Sequence, residues 1–269
     1  MRDILKDMVK VVRAADIGTI KITGTDGLVT FQGVDDKRSV ILKGSVIKED
    51  TSFEGVSGIG DLDRLAGMLN YFDMPNDVVS VARKMRQVRN EKKDADGNPI
   101  LDAAGVPEFE TAEENAIERF TFNRSKPSKA DANFRVIARN LIPQQFSPKE
   151  VEYAVEITPT ASAISDLEKL VSIANSDTFS VKIQPNDDGT NSLFVNLGVV
   201  GNESSIEFHK DVDGVLKNSW NWDITKVLKL LKLGTTTTLR LGFSDRGMLK
   251  VTIDSGIANY EFTIPPRQQ

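Results

Sequence analysis

The 269-residue sequence has no cysteine, which excludes disulfides, thiol nucleophiles and thiolate metal centres and leaves nothing pointing to an oxidising compartment. Its one histidine, His209, has no second histidine with which to hold a metal and reads as a surface residue beside Lys210 and Asp211. No apolar run approaches the ~20 residues of a membrane-spanning helix, and the opening MRDILKDMVK is amphipathic and acid-containing, unlike a secretory leader. A soluble intracellular protein without a membrane partner is therefore expected, and the Asn202-Glu203-Ser204 sequon reads as chance. The phosphate-loop pattern is missing, and Gly55-x-x-Gly58-x-Gly60 lacks the order of a dinucleotide fingerprint. Asp35-Asp36 and Glu113-Glu114 sit in turn-like, charged contexts that suit solvated carboxylates. With no catalytic set, metal site or cofactor motif, a non-enzymatic protein is expected.

Basic residues are outnumbered overall, 34 to 39 acids, but positive charge is locally concentrated. The net charge is −5, yet Ile4 to Arg13 carries +2 and Ile224 to Leu233 carries +3, which leaves the rest at −10. Both stretches have helical periodicity. In the first, Ile4, Leu5, Met8, Val9, Val11 and Val12 form an apolar arc opposite Lys6, Lys10 and Arg13. In the second, from Trp222 to Gly234, Asp223 is an N-cap candidate, Ile224, Val227, Leu228, Leu230 and Leu231 share one side, and Lys226, Lys229 and Lys232 share the other. No acidic residue interrupts that lysine stripe. Such a distribution suits a protein that admits a polyanion at one place rather than over its whole surface.

Between these helices the pattern is mostly strand. Short alternating segments at Thr19–Thr23, Leu28–Gln32, Ser39–Leu42 and Ser45–Ile47 have hairpin spacing. Asp61 caps a second helix, Leu62–Phe72, with Arg64 outside. Val78–Val88 is strand-like and carries Arg83, Lys84, Arg86 and Arg89. The turn-rich, charged stretch 91–115 reads as an exposed hairpin or insertion. Its Asp94-x-Asp96-x-Asn98 spacing is calcium-loop-like, but Pro99 stands where such a loop needs glycine. A strand at Ile117–Phe122 follows, and 124–148, with Pro127, Pro143 and Pro148, reads as an extended connector with a strand at Phe134–Ala138. The second half repeats the plan: a strand at Val151–Thr158, a helix opened by Thr158-Pro159 with Lys169 as its one basic residue, strands at Thr178–Gln184, Ser192–Leu197 and Ser204–Phe208, the Trp222–Gly234 helix, then strands at Thr236–Phe243, Gly247–Ile253 and Ala258–Ile264. An α+β fold made of two similar units, 1–148 and 149–269, is the economical expectation.

The segment Gly58-Ile59-Gly60-Asp61-Leu62-Asp63-Arg64-Leu65-Ala66-Gly67-Met68-Leu69 and the strand Ile257-Ala258-Asn259-Tyr260-Glu261-Phe262 resemble the DNA sliding clamps of tailed phages, the processivity factors of replicative polymerases; 91–115 is an insertion relative to that pattern. The resemblance implies two clamp-like domains per chain, each with two helices on a β-sheet, and a closed homotrimeric ring with a helical inner wall. It implies duplex DNA, the replicative polymerase and an ATP-dependent clamp loader as partners, in the cytoplasm of an infected host. Lys6, Lys10, Arg13, Arg64, Lys169, Lys226, Lys229 and Lys232 are then the candidates for sequence-independent phosphate contacts. Leu141, Ile142 and Pro143 of the connector, with Ile264 and Pro265, are the candidates for a partner-peptide pocket. The alternatives are a β-rich virion structural or assembly protein, which has no need of aligned lysines, a single-stranded-DNA module, which wants aromatics among its basic residues where this chain has 7% aromatics overall, and an enzyme whose catalytic cluster is formed only in space.

Overall fold

The computed structural model describes residues 1–92, 94, 98–143, 150–198, 202–235 and 238–267. The expected boundary at 148/149 and Asp96 of the calcium-like spacing lie outside the described residues. Among the described residues four α-helices, α1 (Arg2–Ala14), α2 (Leu62–Tyr71), α3 (Ala161–Ala174) and α4 (Ile224–Leu231), lie among sixteen strands.

The first half contributes β1 (Ile20–Thr25), β2 (Leu28–Val34), β3 (Ile41–Val46), β4 (Gly55–Ile59), β5 (Val78–Glu91), β6 (Phe109–Arg124), β7 (Ala130–Arg135) and β8 (Ile137–Ala138). The second contributes β9 (Val155–Ile157), β10 (Thr178–Pro185), β11 (Asn191–Leu197), β12 (Ser204–His209), β13 (Trp222–Asp223), β14 (Thr238–Phe243), β15 (Leu249–Asp254) and β16 (Ala258–Ile264). They form a nine-stranded sheet β8-β4-β1-β2-β3-β16-β15-β14-β9, a four-stranded sheet β12-β11-β10-β13 and a three-stranded sheet β5-β6-β7.

The repeat is visible in the strand orders. The run β3-β2-β1-β4 has its counterpart in β12-β11-β10-β13, and β16-β15-β14 has its counterpart in β7-β6-β5. The large sheet is continuous because β3 pairs antiparallel with β16, from Ile41↔Thr263 to Val46↔Ala258. That ladder ties the two halves into one body.

One face of the large sheet is apolar. Ile20, Ile22, Phe31, Leu42, Val251, Tyr260 and Phe262 are buried there, following the two-residue period of each strand. The helices form one layer that spans two sheets: α1 packs against α2, α4 and β16 of the large sheet, while α4 packs against α3, β10 and β13 and α3 packs against β12 of the four-stranded sheet, so the layer runs α2-α1-α4-α3. Each helix brings its apolar side to the core, as α1 does with Leu5, Met8 and Val12. On α4 the buried set is Ile224, Val227, Leu228, Leu230 and Leu231, the five residues expected. Trp222 anchors the second half, donating its indole N–H to the Gly247 carbonyl at 2.8 Å between the rings of Phe179 and Phe243.

Several expectations are corrected. Ser39–Leu42 and Ser45–Ile47 are parts of one strand, β3, because Lys43 and Gly44 are paired on both sides, by Gln32 and Phe31 and by Glu261 and Tyr260. The glycine-rich Gly55–Ile59 is strand β4, held by β1; without side-chain alternation it has no strand signal of its own. The α3 cap is Thr160, whose hydroxyl accepts from the Ala163 N–H at 3.1 Å, and Pro159 precedes it. Helix α4 ends at Leu231 and tightens into a 3-10 turn over Lys232–Thr235, which includes Gly234. The stretch 91–115 is in part strand, because β5 and β6 pair as far as Glu91↔Phe109. Much of the connector is structured: β7 lies along β6 with Phe134 buried, and β8 closes the edge of β4 at Ser57 and Gly58.

Candidate nucleic-acid interface

The solvent side of the helix layer brings together most of the predicted cations, and the structure adds partners that helical periodicity could not reveal. Lys6 on α1 pairs with Asp73, just beyond α2. Arg13 reaches Asp63 of α2 at 2.7 Å. Lys229 of α4 reaches Asp16, after α1, at 2.7 Å. Lys232 pairs with Glu168 of α3 at 2.5 Å, and Lys169 pairs with Asp166 within α3 at 2.8 Å. The lysine stripe that has no acid on its own helix is therefore lined with acids from neighbouring segments.

These five pairs are open to solvent. Both members of the Lys229–Asp16 and Lys232–Glu168 pairs are about half exposed, and such pairs are worth about 0–1 kcal/mol. A phosphate can compete for each cation at small cost. Lys6 draws the Asp73 carboxyl below its ordinary pKa through their hydrogen bond, so that carboxylate is charged at neutral pH. Lys10 and Arg64 differ from the other six: both are exposed and neither has an acidic partner among the described residues.

Lys226 is a correction. Its side chain is only 14% exposed, and its ammonium donates to the Asp35 carboxylate and the Ser39 hydroxyl in the turn between β2 and β3. Asp35 also accepts from the Ser39 N–H at 2.6 Å and the Val40 N–H at 2.8 Å. Burial works against the Asp35 charge, yet the hydrogen bonds from Lys226, Ser39 and Val40 outweigh it and hold the carboxyl below its ordinary pKa. Lys226 joins the two halves, and it is not available to a phosphate without leaving a buried carboxylate behind. The expectation that Asp35 is a solvated turn carboxylate is corrected with it: the residue is 4% exposed.

The five residues expected to form one apolar pocket come from different parts of the large sheet. Leu141 is 70% exposed in a short 3-10 turn after β8. Ile142 packs on β4, where a Cβ added to Gly58 would come within 2.9 Å of it. Ile264 is buried in β16 opposite Leu249. Strands β4, β1, β2 and β3 separate β8 from β16, on the order of 24 Å at the usual strand spacing. Pro143 follows Ile142, and Pro265 follows Ile264 on β16's side of the sheet. The separation arises because the sheet runs through both halves, which sequence order alone does not show.

Among the described residues no group of histidine and acidic side chains could hold a metal ion, and no helix is long and apolar enough to cross a membrane.

Four helices on one face of extended antiparallel sheets, with duplicated strand order, define the α+β fold of the PCNA clamps. Three solved structures share it over nearly their whole length. The structure described as the C-terminal region of FEN-1 bound to A. fulgidus PCNA matches with a TM-score of 0.66 at 11% identity, covering 100% of this chain and 96% of that one. The PCNA2-PCNA3 complex from Sulfolobus tokodaii matches with a TM-score of 0.65 at 12% identity over 99% and 96%. Proliferating Cellular Nuclear Antigen from Entamoeba histolytica matches with a TM-score of 0.64 at 10% identity over 98% and 96%. No protein-family model matches the sequence, and no curated protein does.

Proposed function

We propose that this protein is a DNA sliding clamp that encircles duplex DNA as a homotrimer and tethers a replicative polymerase. The observation that carries the reading is the unequal fate of equivalent strands. Within the chain, β16 pairs with β3. Their counterparts β7 and β12 are both left at sheet edges. Placing β7 of one copy on β12 of the next reproduces the internal junction, caps both open edges and generates a head-to-tail arrangement that closes. Six similar units around a ring require three two-unit chains.

In that ring the helix layer is the inner wall. Lys10 and Arg64 are the primary phosphate contacts, and Lys6, Arg13, Lys169, Lys229 and Lys232 exchange their carboxylate partners for phosphates as DNA moves past. Contacts to phosphate alone carry no sequence information, which suits sliding. Leu141, exposed beside the sheet edge, is the connector residue offered to polymerase and loader peptides. The tailed-phage kinship, the setting in an infected host's cytoplasm and the need for an ATP-driven loader rest on the two short segments 58–69 and 257–262.

The test is solution mass by light scattering across a concentration series, followed by retention on circular DNA. A species near 89 kDa, three times 29.6 kDa, that stays on nicked circles and runs off linearised ones is the expected result. A strict monomer or a stable dimer sinks the ring.

A further inference from the structure

Strands β5 and β6 continue as a two-stranded ribbon beyond the part flanked by β7, from Arg83↔Ile117 to Glu91↔Phe109, about 25 Å at the usual rise per residue. Its tip is a small knot of three chain segments: the Lys92 N–H donates to the Glu108 carbonyl, the Ile100 N–H to the Lys92 carbonyl and the Glu108 N–H to the Ile100 carbonyl, all at 2.8–2.9 Å. The following turn is fixed by the Asp102 carboxylate, which accepts from the Ala104 and Val106 N–H groups, and Leu101 bridges to Pro107.

That backbone holds three apolar side chains in solvent: Ile100 at 39% exposure, Leu101 at 53% and Val106 at 53%. They stand in an acidic segment. Among the described residues of 91–110, the acids Glu91, Asp94, Asp102, Glu108 and Glu110 face a single base, Lys92. Apolar side chains that a rigid turn holds out among acids do not contribute to the core.

We propose that the ribbon tip is a docking surface for a basic, amphipathic protein segment, one that places an apolar anchor on Ile100, Leu101 and Val106 and its lysines or arginines on the surrounding carboxylates. Charge complementarity selects this occupant. Nucleic acid and anionic lipid are repelled by the tip, and so is a second copy of the same tip. A DNA-binding protein offers the required chemistry. The tip stands at the far end of the ribbon from the helix layer, so its occupancy is independent of how that layer meets DNA.

The probe is a fluorescently labelled amphipathic peptide of lysine and leucine, titrated against the full chain by anisotropy, with site-specific photocross-linking to locate it. Binding to the native chain should weaken about tenfold in Leu101→Ser with Val106→Ser, in line with the loss of an apolar anchor. Glu91→Gln with Glu110→Gln should weaken binding and flatten its salt dependence. All four residues are exposed, so thermal melting of both variants should match the native chain and certify their folds. The proposal is overturned by unchanged affinity in the Leu101/Val106 variant, by cross-links outside residues 91–110, or by equal binding of a peptide with serine for leucine or glutamate for lysine. Sedimentation that shows the native chain pairing through its tips, and losing that pairing in the Leu101/Val106 variant, would overturn it in favour of a second copy.

Discussion

The Lys226 ammonium and the Asp35 carboxylate, 191 residues apart in sequence, are hydrogen-bonded to one another across the junction of the two halves. The lysine came from the stripe expected to face DNA, and the aspartate from a turn expected to be solvated. Removing the lysine leaves a largely buried carboxylate with only Ser39 and Val40 as donors. Lys226→Ala should lower stability to denaturant by about 3 kcal/mol, measured by urea unfolding. Lys226→Glu should lower it further, since two carboxylates would then meet.

The same pair predicts an acid limb. The folded Asp35 pKa lies below its ordinary value of 3.8, so the unfolded chain binds this proton more readily than the folded one. The stabilisation is fully present above the unfolded value and is lost as pH falls through the folded one. Unfolding midpoints measured from pH 5 downward should therefore decline less steeply in Asp35→Asn than in the native chain. Parallel curves would count against the assignment.

If Lys10 and Arg64 are the primary phosphate contacts, Lys10→Glu with Arg64→Glu should leave thermal melting unchanged, because both side chains are exposed. Retention on circular DNA should fall. The salt dependence of binding should lose about 0.9 in log–log slope for each phosphate contact removed. Retention equal to the native protein would displace the contact set from α1 and α2.

The edge-pairing geometry can be trapped, because the chain has no cysteine of its own. Asn133→Cys on β7 with Ser205→Cys on β12 should cross-link between copies under mild oxidation. Denaturing gels should show bands of two and three chains and then stop, since a closed ring has no free edge left. A ladder running past three would indicate an open filament.

Leu141 and Ile142 are adjacent in sequence but differ in surroundings. Leu141→Ser should change stability by less than about 0.5 kcal/mol while weakening polymerase-peptide binding. Ile142→Ser should destabilise the chain, as its side chain packs on Gly58. Calorimetry with a polymerase-derived peptide separates the two effects.

Helices were the most legible elements in the sequence, because an amphipathic period of 3.6 repeats over two turns or more and capping side chains mark the starts of α2 and α4. Asp61 accepts from the Arg64 N–H and Asp223 from the Lys226 N–H, as their positions implied. Strands whose alternation is broken by glycine were not legible: β4 exists because β1 and β8 pair with it. The same limit applies to β13, two residues long, which β10 holds in place.

The sequence by itself determined the α+β character, the two-half plan and the concentration of cations on α1 and α4, since each is a property of local periodicity and composition. Only the tertiary structure decided which partners those cations meet. Helical spacing records which residues share a face, but it carries no information about what another segment brings to that face. Asp35, Asp16, Asp63, Asp73 and Glu168 arrive through strand pairing and helix packing over long sequence separations. Packing against them turned Lys226 into an internal lock, gave Lys6, Arg13, Lys229 and Lys232 exchangeable partners, and left Lys10 and Arg64 as the exposed cations of the layer without an acidic neighbour among the described residues.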